Sequence, residues 1–219
     1  MKRIARYLPL CFLALGSLQL ASAQSSFDLN LGFGSFHDKA QGAGIDNTTF
    51  GACAIGPGSA STCQATPALS GFFLGFGGDL MLKKNYGVGG EWDLTPAKSA
   101  YGPLNYRQHF IDVNGIYAPI NQKKVIVKIM GGIGDAKTGF SYTQTGCVGT
   151  AVCSTQTSPV GSSNHFQIHA GVGVEIFMTD HWFVRPQFDF HYVPGLTNQF
   201  GSNVVPGGMV WLGYSFGDR

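Results

Sequence analysis

Charged and imidazole side chains occupy alternate positions in several otherwise apolar segments of this sequence. In residues 166–176, His169 and Glu175 fall on one side of the alternation, and in residues 182–192 Arg185 and Asp189 do the same. Acids and bases placed this way can form buried ion pairs, and a histidine among them can transfer protons or bind a metal. The side chains predicted to form one interior polar network are Asp79, Glu91, Asp112, Lys128, His169, Glu175, Arg185, Asp189 and His191.

The pattern that positions these side chains repeats every two residues, which is the period of a β-strand. In the last such segment, Val210, Leu212, Tyr214 and Phe216 form the apolar face. Pro186 falls on an apolar face and lacks an N–H, so we expect a bulge or a weaker strand there. Eight runs show the alternation: residues 26–38, 71–82, 86–94, 106–118, 125–134, 166–176, 182–192 and 205–216.

The connections between the runs alternate between long and short. Antiparallel strands in which every second connection is tight are typical of an even-numbered up-and-down barrel. The sequence therefore predicts an all-β fold, an eight-stranded antiparallel up-and-down transmembrane β-barrel. The long connections are residues 39–69, 95–105, 135–163 and 194–204, and the short ones are 83–85, 119–123 and 178–181.

Composition indicates which face of the strands points outward. Only 12% of the 219 residues are charged, against about 25% in a typical soluble domain, while 13% are aromatic and 32 are glycine. The polar face consists mostly of glycine with isolated charges, too few to solubilise eight strands. The apolar face is long enough for a tilted strand to cross a bilayer, with aromatics near its ends. A soluble barrel or sandwich would leave the alternating connections unexplained, so we expect the apolar face to contact lipid.

The N-terminus and the cysteines indicate export. Basic residues precede the apolar run 8–20 and the small residues Ala21-Ser22-Ala23 follow it, which predicts a signal peptide over residues 1–23 and a barrel domain over 24–219. Four cysteines remain in the long connections, and an oxidising compartment permits disulfides. We expect local bridges Cys53–Cys63 and Cys147–Cys153, although three connectivities are possible.

The chain resembles the small Gram-negative outer-membrane β-barrel proteins, the group that contains OmpA transmembrane-type, OmpX and Opa-like barrels. The resemblance lies in the cleavable signal, the eight alternating strands, the long outer loops and the terminal alternation that ends at Phe216. It implies a place in the cell outer membrane, contact with outer-membrane lipid and recognition by the barrel-assembly machinery.

Counting outward from the short connections gives a hypothesis for the interior pairs. If Phe177 lies opposite Phe183, Glu175 faces Arg185 and His169 faces His191, whereas a two-residue shift would set His169 against Asp189. A similar count across residues 119–121 pairs Asp112 with Lys128.

The sequence favours a structural role over catalysis. There is no His-x-Ser pattern for a lipid-modifying barrel enzyme, and His165 and His169 lie about 13 Å apart on a strand, too far to share a metal. We therefore expect no catalytic residue, cofactor, metal or nucleic-acid partner. The expected role is envelope integrity or contact with a cell-surface partner through the two disulfide-bearing loops, residues 39–69 and 135–163. The alternatives are a narrow cation-preferring channel for small solutes, because interior acids outnumber bases, and a lipid-modifying enzyme.

Overall fold

A computed structural model describes residues 26–39, 68–101, 104–148 and 152–217. The predicted signal peptide, Cys53 and Cys63 lie outside these residues. No helix among the described residues is long and apolar enough to cross a membrane. The strands within them are β1 (Ser26–Phe36), β2 (Phe72–Lys83), β3 (Tyr86–Leu94), β4 (Ser99–Tyr101), β5 (Leu104–Asn121), β6 (Val125–Val148), β7 (Val152–Phe177), β8 (Trp182–Tyr192) and β9 (Val204–Phe216).

Eight of these strands close into a ring. Each long strand pairs antiparallel with its neighbour in the chain, β3 pairs with β5, and β1 pairs with both β2 and β9. The three-residue β4 pairs with the start of β5. The predicted fold class, an eight-stranded antiparallel up-and-down barrel, is confirmed.

Three of the predicted connections differ from the structure. The connection 95–105 contains the three-residue β4 and the first residues of β5. The segment 135–163, predicted as a long loop, is largely strand, because β6 and β7 stay paired as far as Val148 and Val152. The turn predicted at 119–123 lies later, since β5 runs to Asn121 and β6 begins at Val125. An irregularity between Tyr117 and Ile120 accompanies this change in register.

Pro186 interrupts the β7–β8 ladder. Pairing stops after Gly173 opposite Gln187 and resumes at Ile176 opposite Val184, with the same register on both sides. The ladder is therefore weakened beside the proline, as its missing N–H requires, and no residue is inserted.

The alternation sorts the side chains as the sequence predicts. Large apolar residues point outward and stay exposed in the isolated chain, for example Val113 at 66% and Phe188 at 55%. Acidic residues point inward and lie opposite glycines, such as Asp79 opposite Gly89 and Asp93 opposite Gly75. A Cβ on either glycine would come within 2.6 Å of the facing carboxylate oxygen. The many glycines thus make room for polar side chains in a narrow barrel.

Two apolar layers lie inside the barrel, one at each end. The upper layer, at the end with the long connections, is a buried cluster that includes part of the β8–β9 connection. The lower layer, at the end with the tight turns, includes Met81, Ile116, Met130, Phe177 and Phe183. Prominent members of the upper layer are Phe36, Phe73, Phe110, Leu196, Phe200 and Trp211.

Candidate functional site

The charged centre of the barrel lies between the two apolar layers. Its lower half, the lysine cluster, is formed by Lys128 and three carboxylates from β1, β2 and β7. Lys128 Nζ lies 3.0 Å from Asp28 Oδ2, 2.8 Å from Asp79 Oδ2 and 2.6 Å from Glu175 Oε1. All four side chains are buried. The Lys128 ammonium thus provides a positive charge next to all three carboxylates.

Arg185 of β8 joins the lower half of the centre to the upper half. Its Nη1 donates to Asp79 Oδ2 at 2.6 Å, and its Nη2 donates to Glu91 Oε1 at 2.9 Å. Glu175 Oε1 lies 3.6 Å from Nη1. The guanidinium also lies over the Trp211 ring, 5.3 Å from its centroid, where the cation and the ring attract each other.

The upper half contains the histidine cluster, which we define as Glu91, His169, Gln187 and Asp189. Gln187 Nε2 lies 3.1 Å from both carboxylate oxygens of Glu91 and 2.7 Å from Asp189 Oδ1. His169 Nε2 lies 3.1 Å from the same Asp189 oxygen, and its Nδ1 lies 2.9 Å from Asn114 Oδ1. Together with Asn114, this cluster links strands β3, β5, β7 and β8 across the lumen.

A stack of rings connects the histidine cluster to the upper apolar layer. The His169 and His191 rings lie 4.7 Å apart, and His191 also stacks on Phe110 at 4.5 Å. Asp112 approaches this stack, with Oδ2 3.7 Å from His191 Nδ1, while its Oδ1 accepts a 2.7 Å hydrogen bond from Gln167. The imidazole of His191 is thus held between apolar and acidic neighbours.

The structure brings the nine predicted network residues into one interior region, with partners that differ in part from those expected. Phe177 pairs with Phe183 and His169 with His191, as the count predicted. The Asp112–Lys128 pair was wrong. Asp112 faces Gly134, and Lys128 contacts acids from three other strands, because the β5–β6 turn lies further along the chain than the count assumed.

Sequence reasoning missed two parts of the site. Asn114, Gln167 and Gln187 connect the charged groups, and no local pattern distinguishes them from other inward polar residues. The inward aromatics were also missed, although adjacent apolar residues such as Trp182-Phe183 and Val210-Trp211-Leu212 interrupt the alternation and could have revealed them.

Asp38 connects two chain segments just above the barrel strands. Its Oδ2 accepts a hydrogen bond of 3.3 Å from the Ser202 N–H, and its backbone pairs with Leu69. Burial raises the pKa of the Asp38 carboxyl from 3.8 to about 6, in spite of that hydrogen bond. The β8–β9 connection is therefore held over the upper end partly by a titratable group.

The chain was compared with known protein families. A model of the outer membrane protein beta-barrel domain matches residues 8–217. The chain belongs to this family. It is accordingly an integral outer-membrane β-barrel protein, and its exposed apolar band faces lipid.

Solved structures of similar architecture come from several bacteria. Ail, the attachment invasion locus protein of Yersinia pestis, is 14% identical over 89% of this chain and 99% of its own, with a TM-score of 0.48. The outer membrane protein OprG from Pseudomonas aeruginosa is 14% identical over 89% of this chain and 97% of its own, with a TM-score of 0.49. Neisserial surface protein A is 13% identical over 87% of this chain and 96% of its own, with a TM-score of 0.48. No curated protein matches the chain.

Proposed function

We propose that the protein is a closed, structural outer-membrane barrel that presents a β-hairpin for contact at the cell surface. The filled lumen is the observation that carries this proposal. Apolar layers at both ends enclose the charged centre, and large side chains such as Phe110, Phe183 and Trp211 are fully buried there. An eight-stranded barrel has room for little more than its own side chains. This packing supports a structural role over a continuous path for ions.

The hairpin formed by the ends of β6 and β7 supports the surface-contact part of the proposal. Pairing between β7 and β8 ends at Ile168, but β7 stays paired with β6 back to Val152. At about 3.3 Å per residue, this extension is about 50 Å long. No Asp, Glu, Lys or Arg occurs between Lys137 and Glu175, so the hairpin offers an uncharged, hydroxyl-rich surface. Such a surface suits a neutral polar partner.

A disulfide at the hairpin tip remains part of the proposal. Cys147 and Cys153 are direct partners in the antiparallel register. Directly opposed residues have Cα atoms about 4.5–5.5 Å apart, which lies within the range that a disulfide requires. The register thus supports a Cys147–Cys153 bridge that would hold the tip together.

The first test addresses the closed lumen. The purified barrel should give no reproducible single-channel steps in a planar lipid bilayer at neutral pH. Cation-selective steps would instead establish the alternative, the narrow channel for small solutes. A catalytic role in lipid modification forms no part of the proposal.

The second test shortens the hairpin. Tyr142 and Ser158 are cross-strand partners, so an Asn-Gly turn can join them directly and remove the residues between. The shortened chain should still show the gel-mobility difference between unboiled and boiled samples that marks a folded barrel. Cells carrying it should lose autoaggregation or attachment to epithelial monolayers relative to cells carrying the full chain. Equal autoaggregation and equal attachment by both strains, at equal surface amounts, would refute the contact role.

A further inference from the structure

The two halves of the charged centre differ in how their negative charge is balanced. In the lysine cluster, an ammonium lies within 3.0 Å of all three acids. In the upper half, Glu91, Asp93, Asp112 and Asp189 are all buried, and Arg185 reaches only Glu91 among them. Among the described residues, no lysine or second arginine balances the other acids. Buried carboxylates are costly unless a cation or a proton compensates them.

The contact between His169 and Asp189 is the place in the upper half where a compensating positive charge would act on a carboxylate. With the Asn114 side-chain oxygen facing it at 2.9 Å, His169 Nδ1 would carry the ring proton. The other nitrogen of a neutral ring, Nε2, then has only a lone pair. Yet Nε2 lies 3.1 Å from Asp189 Oδ1, which is also an acceptor. Two acceptors at this distance need either a proton or a metal ion between them.

The same cluster contains buried oxygens that no hydrogen-bond donor among the described residues satisfies. Within the described part of the chain, Asp189 Oδ2 and Gln187 Oε1 are buried and have no hydrogen-bond partner. Gln187 is 5% exposed, and its amide nitrogen lies against both Glu91 and Asp189. Rotation of the amide by 180° exchanges its oxygen and nitrogen, so that an oxygen ligand for an ion held between the two carboxylates would replace the hydrogen bonds of the amide nitrogen. Gln187 can therefore supply a further ligand without a change in the backbone.

The candidate ligand atoms of this cluster lie close together. One ligand atom each from Glu91, His169 and Asp189 lie within 4.8 Å of one another. Neighbouring ligands about 2.1 Å from one ion lie about 3.0–3.4 Å apart, which matches the contact between His169 and Asp189. A Cβ on Gly171 would come within 2.7 Å of Asp189 Oδ1 and 3.3 Å of His169 Nε2. A side chain at Gly171 would therefore crowd both ligands, and glycine avoids that contact.

We propose that the histidine cluster binds one divalent transition-metal ion inside the closed barrel, through His169 Nε2, the carboxylates of Glu91 and Asp189, and Gln187 Oε1. One imidazole with carboxylate and amide oxygens suits a borderline ion such as Zn²⁺ better than Mg²⁺ or Ca²⁺, which prefer oxygen ligands alone. Asn114 orients the imidazole through its contact with Nδ1, the ring nitrogen that does not bind the ion. The role of the ion is structural, since it supplies to the upper half the positive charge that Lys128 supplies to the lower half.

The test loads the ion during folding, because the apolar layers close both ends of the folded barrel. The chain is unfolded in urea, refolded into detergent micelles with Zn²⁺ and separated from free ion by gel filtration. Elemental analysis should then find about one zinc per folded barrel for the wild-type chain. His169→Ala and the nearly isosteric Asp189→Asn should each lose most of this zinc.

Two matched variants control for surface adsorption. His181→Ala and Asp180→Asn remove the same chemical groups from exposed positions at a tight turn, and both should keep the wild-type zinc content. Zinc lost equally from all variants, or retained equally by all, would overturn the proposal. A wild-type barrel that folds fully without retaining zinc would also overturn it and would indicate that protons balance the acids.

A second measurement covers the case in which the interior variants fail to fold. Wild-type barrel refolded with Co²⁺ should show d–d absorption bands shifted and intensified relative to the hexaaqua ion, because an imidazole and a distorted ligand set surround the metal. A spectrum that matches free Co²⁺ in the same detergent would refute the site without any variant.

Discussion

Replacement of Lys128 by methionine tests whether the lysine cluster is electrostatically coupled as its distances indicate. Methionine keeps much of the volume of the lysine stem, so the change removes the ammonium and leaves little cavity. Asp28, Asp79 and Glu175 would then be buried without the charge of Lys128, while Arg185 would still contact Asp79 and Glu175. Removing one partner from a buried ion pair costs about 3–5 kcal/mol, so we expect Lys128→Met to lower the free energy of unfolding by that amount.

Urea unfolding in detergent micelles measures this loss, with tryptophan fluorescence and gel mobility as two independent readouts. Lys123→Met is the matched control, because Lys123 lies 4.0 Å from Asp180 in a pair whose side chains are 76% and 82% exposed. Solvent screens such a pair, so the control should unfold at the wild-type urea concentration. A Lys128→Met barrel that unfolds within about 1 kcal/mol of the wild type would refute the coupling.

Glu175→Gln tests the sign of the change in the free energy of unfolding. In the wild-type barrel this change removes an ion pair with Lys128 and should destabilise the fold. In the Lys128→Met barrel the same change removes one of the stranded charges and should stabilise it. The double-mutant cycle therefore predicts opposite signs for one substitution in two backgrounds. The same sign in both would show that Glu175 acts through packing alone.

Three further outcomes are expected. Asp38→Asn should make the free energy of unfolding less dependent on pH. The native state holds the Asp38 proton more tightly than the unfolded chain does, so the stability of the wild type relative to the variant should fall as pH rises from about 4 to 6. Urea titrations at several pH values measure this difference. Phe110→Ala should cost about 3–5 kcal/mol in the same assay without producing channel steps in planar bilayers, since the lower apolar layer stays intact. Mass mapping of peptides under non-reducing conditions should recover Cys147 linked to Cys153, and a linkage of either residue to another cysteine would contradict the pairing.

The sequence was sufficient to predict the barrel and the direction in which most side chains point. Alternation with a period of two fixes the face of each residue, and the tight connection before β8 fixes the register that pairs Phe177 with Phe183. The predicted β5–β6 register was wrong, because the prediction began the turn at Pro119. In the structure that proline lies within the irregularity between Tyr117 and Ile120, inside a longer strand. An error there displaces every partner along two strands.

Contacts across the lumen could not be predicted from neighbouring strands. Asp28 and Lys128 are 100 residues apart in the chain and lie on strands that are not adjacent. Their contact depends on the small diameter of the barrel and on the length of the lysine side chain. Pattern reasoning assigns a residue to the interior, but the closed ring decides which interior residues meet.

The charged centre also explains how this glycine-rich barrel keeps its register. Inward positions such as Gly75, Gly77 and Gly89 offer little side-chain packing to distinguish one register from another. Lys128 contacts acids on β1, β2 and β7 at the same time. After a two-residue slip of any of these strands, its apolar side chains would still face lipid and its polar side chains would still face the lumen. The slip would nevertheless move a buried carboxylate about 7 Å away from the ammonium. The free-energy cost of burying an unbalanced charge in a misregistered barrel thus favours the native register. This holds even where the ion pairs themselves add little net stability.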